Sequence, residues 1–73
     1  MDQRIARLTD AQRQVLRAFH ARKSAKEIGR EIGVTHWAVN ERLRAARRVL
    51  AVATSAEAAR MLAQAETGTA LVF

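Results

Sequence analysis

The chain is predicted to be an all-α domain of four helices, and three features of its sequence carry that prediction. Proline is absent and alanine, arginine, leucine and glutamine abound, which favours helix in almost every window. The apolar residues recur three and four positions apart, the period of one helical face. A serine or threonine stands before each periodic stretch, where its side chain can satisfy an orphaned backbone N–H.

The first helix opens at Leu8-Thr9-Asp10-Ala11-Gln12, where Thr9 is the N-cap, Gln12 completes a capping box and Leu8 supplies a staple contact. Ala11, Val15 and Phe19, flanked by Leu16 and Ala18, form its apolar face, and the helix fades near Arg22. Ser24 and Glu27 make a second capping box, which starts a short helix with Ile28 and Ile32 one turn apart. Gly29 costs about 1 kcal/mol against alanine inside a helix, so another helix is expected to cross close to it. Gly33 ends this helix in the left-handed conformation, and Val34 plugs the corner. Thr35 caps the third helix, about residues 36–50. Its Val39, Leu43, Ala46 and Leu50 span only about 60° of the helical wheel. Ser55 is expected to cap a fourth helix running to about Gln64 or Glu66, with Ala58, Met61, Leu62 and Ala65 as its apolar positions.

Seventy-three residues make one domain at most, so residues 1–73 are read as a single unit with a core over 8–66 and a short apolar tail over 67–73. There is no cysteine, and the two histidines have no carboxylates at ligand spacing, so no metal and no cofactor is expected. Met1 to Arg7 is polar and does not resemble a signal peptide. The alanine-rich stretch from Val49 to Ala65 is broken by Glu57, Arg60 and Gln64 and cannot span a bilayer. A cytoplasmic protein without membrane contact is expected.

The net charge of +6 favours a polyanionic partner. Its placement says more than its size. From Arg42 to Ala56 there are four arginines and no acid, while acids gather at Glu27, Glu31 and Glu41. On the third helix Trp37, Asn40, Glu41, Arg44 and Arg48 fall opposite the apolar stripe, with Arg47 at the edge. Ser24 to Leu50 therefore reads as a helix-turn-helix unit: a short capped helix, a tight turn at Gly33, and a longer helix with a basic outer face.

These residues also carry a family resemblance. Leu8-Thr9 with Gln12, Val15 and Leu16, then Ser24, Lys26, Glu27 and Ile28, then Ile32 to Thr35, Val39, Leu43, Leu50, Val52 and Glu57 to Ala59 stand in one ordered series. The series resembles the LuxR/GerE-type DNA-binding domain of bacterial transcription regulators over about residues 8–63 without a gap. The resemblance implies a four-helix, LuxR/GerE-like helix-turn-helix bundle whose third helix reads DNA and whose fourth often forms a twofold dimer contact. The chain departs from the family's usual glutamate at Gln12, glycine at Arg22, alanine at Gly29, threonine at Ala38, lysine at Asn40, histidine at Arg42 and glycine at Ala51.

The expected partner is double-stranded DNA, bound sequence-specifically by a homodimer. Arg44 is a candidate for bidentate contact with guanine, Asn40 with adenine, and Glu41 with a cytosine amino group, although a bond from Glu41 to a neighbouring arginine is favoured over that contact. Trp37 packs on a sugar or thymine methyl, or else folds back over the second helix. Ser24, Lys26, Thr35, His36, Arg47 and Arg48 are the phosphate candidates. Ala58, Met61, Leu62 and Ala65 are core residues first and dimer-seam candidates second. An enzyme is not expected, because no nucleophile–base pair or phosphate-cradling glycine loop is present. Within DNA binding, the promoter-reading region of sigma factors shares the pattern less fully. The rival from another class is an adapter that uses the same scaffold to bind RNA polymerase or another regulator.

Overall fold

The computed structural model describes residues 3–68. They form five helices and no strand: α1 (Gln3–Ala6), α2 (Asp10–His20), α3 (Ala25–Ile32), α4 (His36–Leu50) and α5 (Ser55–Gly68). Helices α2 to α5 are the four predicted ones. Of the predicted tail over 67–73, Thr67 and Gly68 instead continue α5, and 69–73 lies outside the described residues; among those described no helix is long and apolar enough to cross a membrane.

Local chemistry starts α2 and α3 where the spacing said it would. Thr9 Oγ1 accepts from the Gln12 N–H at 3.1 Å while the Gln12 side chain accepts from the Thr9 N–H at 3.0 Å. Ser24 and Glu27 do the same at 3.2 and 3.1 Å. The Ser24 backbone N–H that donates to the Glu27 carboxylate, helped by the nearby Ser24 hydroxyl, draws the Glu27 carboxyl below the usual carboxylate range. The cap of α5 differs from expectation. Thr54 rather than Ser55 accepts from the Glu57 N–H, at 3.1 Å, and Ser55 is the first residue inside the helix.

The apolar faces of four helices close on one another. Helix α2 packs against both α4 and α5, and α3 lies across α4. Val15 and Leu16 of α2, Ile28 of α3, Val39, Ala46 and Leu50 of α4, and Ala58 of α5 are all completely buried. The addition is α1, which polarity alone did not suggest. Ile5 and Leu8, three residues apart, both enter the core, so Leu8 does more than staple α2. Arg4 Nη1 donates to the Leu50 carbonyl at 2.7 Å, and Arg13 Nη2 to the Ile5 carbonyl at 3.1 Å. These bonds tie α1 to the end of α4 and to α2.

Two helices end on left-handed residues that are not glycine: Arg22 at φ 67° and Ala51 at φ 55°. At Ala51 the turn satisfies the last carbonyls of α4, since the Val52 N–H donates to the Arg47 carbonyl at 3.0 Å. An L-residue with a Cβ is strained in this region by roughly 1–2 kcal/mol, and glycine is not. Ala51→Gly should therefore raise stability by about 0.5–1 kcal/mol after the extra freedom of the unfolded glycine chain is subtracted. Arg22→Gly should act alike. A thermal melt should show each as a rise of about 4 °C; a lowered midpoint for both would contradict the strain.

Candidate nucleic-acid interface

Helix α4 is set in place by its cap, its turn and its buried stripe. Thr35 Oγ1 accepts from the Ala38 N–H at 3.1 Å; alanine at that position leaves no reciprocal side-chain bond. The turn before it is tight. Gly33 takes φ 77° and ends α3, and the Val34 N–H returns to the Gly29 carbonyl at 2.9 Å. A Cβ on Gly29 would meet the Val34 carbonyl oxygen at 2.5 Å, so the close approach there is made by the turn itself and not by a crossing helix. Ile28 and Val39 are fully buried on either side of this corner, and Val34 is partly buried against the same core. The angle between α3 and α4 is thus held by packing and by backbone contact.

The two faces of α4 separate cleanly. Val39, Leu43, Ala46 and Leu50 are buried, whereas Trp37, Asn40, Glu41, Arg44 and Arg48 are exposed. Glu41 Oε1 accepts from Arg44 Nη1 at 2.5 Å, the intrahelical pairing favoured from the sequence. Trp37 does not fold back over α3. It is 70% exposed, with its ring 4.4 Å from that of half-buried His36 and tilted by 34°.

Lys26 and His36, both phosphate candidates, line one open cleft at the α3–α4 turn together with Val34 and Arg30. Arg30 was missed by the sequence reading. It stands four residues after Lys26, on the same side of α3, and that spacing was the available signal. Ser24 and Thr35 are exposed and already accept a backbone N–H; each hydroxyl proton remains able to donate to a phosphate oxygen. Arg47 is different. Its Nη1 donates to Ser55 Oγ at 2.6 Å and it is partly buried, so it joins α4 to α5 rather than reaching outward.

Other cations are also engaged internally. Lys23 Nζ pairs with Glu31 at 2.7 Å. Arg17 Nε donates to Glu66 Oε2 at 2.9 Å, and its Nη2 donates to the same oxygen. This hydrogen bonding raises the Arg17 guanidinium above its ordinary value and lowers the Glu66 carboxyl. Lys26, Arg30, Arg44 and Arg48 are exposed along α3 and α4, and Arg7, Arg22 and Arg60 are exposed elsewhere on the surface.

The dimer-seam candidates fare less well. Ala58 and Leu62 are sealed in the chain's own core, and Met61 and Ala65 are partly buried against it. What α5 turns outward is Ala56, Glu57, Arg60 and Gln64, because the apolar pattern was that of its inner face. Among the described residues no group of three or more His, Cys, Asp or Glu could hold a metal ion. Comparison with known proteins adds no further constraint: no family model, curated protein or solved structure matches the chain.

Proposed function

We propose that the chain is a sequence-specific DNA-binding domain of a transcription regulator, of the LuxR/GerE helix-turn-helix type, which inserts α4 into the major groove. The observation that carries this reading is the outward row on α4. Trp37, Asn40, Glu41, Arg44 and Arg48 share one exposed face, and the reverse of the helix is packed inside. In this reading α3 crosses the sugar-phosphate backbone and offers Lys26 and Arg30 to phosphates, with His36 beside them. Arg44 and Asn40 face the base edges, and Arg48 meets phosphate. A second copy, if it pairs, would use a face other than the buried stripe of α5.

The test is a titration with labelled duplex DNA at 50 and 200 mM salt. Three cations that neutralise three phosphates, Lys26, Arg30 and Arg48, give a log–log slope of about −2.7, hence roughly a fortyfold loss of affinity across that range. An adapter for RNA polymerase or another regulator is the second reading. The observation in its favour is the exposed Trp37, since tryptophan is a frequent anchor of protein interfaces. Duplex binding that is absent, or flat with salt, selects the adapter.

A further inference from the structure

Trp37 is the single large hydrophobic side chain left exposed among the described residues, and it stands on a face that is otherwise polar. Asn40, Glu41 and Arg44 follow it at three, four and seven positions, so whatever α4 meets, the indole meets too. Lys26, Arg30 and His36 line the cleft at the same end of the helix. Charge complementarity therefore selects a polyanion as occupant over an apolar protein surface.

On a duplex, an indole finds few matching groups. Base edges in the major groove present hydrogen-bonding atoms, with one apolar exception at C5 of a pyrimidine. We propose that Trp37, braced by His36, senses a C5-methyl group in the major groove, that of thymine or of 5-methylcytosine; the proposal rests on the groove-insertion reading above. His36 matters because its ring, at 4.4 Å, limits how the indole can turn. A ring held in this way covers a methyl group at little further loss of freedom. The shared chemistry is the methyl group, and the base that bears it is settled by the test.

Duplexes are first recovered from a random pool with the whole chain. Each thymine of the recovered site is then replaced singly by deoxyuridine, which removes the methyl and nothing else. One position per half-site should lose about fourfold in affinity, the size of one buried methyl group. Trp37→Ala should lose about the same factor on the thymine duplex and be indifferent to uracil there. At that position, 5-methylcytosine that outbinds cytosine by a similar factor assigns the methyl irrespective of the base. No gain from the methylated base restricts the contact to thymine. Tryptophan fluorescence, which has one source in this chain, should respond to the thymine duplex more than to its uracil form. Binding that stays intact while every uracil substitution is neutral overturns the inference and leaves the DNA reading standing. So does a Trp37→Ala loss equal on thymine and uracil, which would mark contact with the sugar alone. Absence of duplex binding is a separate result that removes both.

Discussion

Leu50→Ala should lower the folding stability of the chain by about 2–5 kcal/mol, a large part of its total. Leu50 is completely buried at the last turn of α4, within one core cluster that also contains Ile5, Leu16, Leu43 and Leu62. Leucine-to-alanine changes at such sites cost about 2–5 kcal/mol, and the cost grows with the cavity that neighbours cannot fill. Collapse around Leu50 is restricted, because its own carbonyl is held by Arg4 and its successor Ala51 is already strained. A domain of this length has a total stability of about 4–11 kcal/mol, and a chain without disulfide or metal belongs toward the lower end. Urea denaturation followed by far-UV circular dichroism measures the loss. Trp37→Ala deletes a larger side chain from an exposed site and should melt almost as the parent does. If Leu50→Ala costs no more than Trp37→Ala, then α4 is not anchored by its buried stripe.

That anchoring was legible in the sequence because it is local. A hydroxyl residue with glutamine or glutamate three positions later fixes a helix start at Thr9 and Ser24, and the 3.6-residue period sorts α4 into a buried and an exposed half. What could not be read is decided by distant partners. Helix α1 is four residues long, and it persists through burial of Ile5 and the reach of Arg4 to α4, neither of which leaves a mark in residues 1–8. Thr54 and Ser55 are both capping types, serine slightly the better. The choice falls on Thr54, and the Ser55 hydroxyl is occupied by Arg47 from the neighbouring helix. The left-handed turns at Arg22 and Ala51 are invisible to propensity. They fall at two of the positions where the chain departs from the usual glycine of the family it resembles.

The candidate interface divides in the same manner. Positions near the middle of the outer face of α4 are exposed as the wheel requires. Arg47, at its edge, is claimed by α5. On α5 the wheel reports one apolar stripe and cannot say whether it faces the core or another copy; here Ala58 and Leu62 face the core. Arg30 lay in plain view one turn beyond Lys26, but it acquires meaning only when the Gly33 turn brings His36 alongside.

The contrast between Arg44 and Arg48 tests the groove reading most directly. Arg44→Ala should weaken binding to the preferred site by about 1–3 kcal/mol and relax preference at one base pair, since a guanidinium forked onto guanine is lost. Arg48→Ala should weaken all duplexes alike and lower the salt slope by about one, the signature of a lost phosphate contact. In the free chain Arg44 is held by Glu41, but both side chains are more than half exposed, and such pairs contribute about 1 kcal/mol at most. The pair therefore orients the guanidinium without locking it away, and a base edge can replace the carboxylate. Glu41→Gln then provides the internal control. It removes a negative charge from the groove face, so affinity should rise for every duplex while the base preference conferred by Arg44 survives. Equal losses at all sites for Arg44→Ala would make Arg44 one more phosphate contact, and selectivity would then have to arise from Asn40 or Trp37.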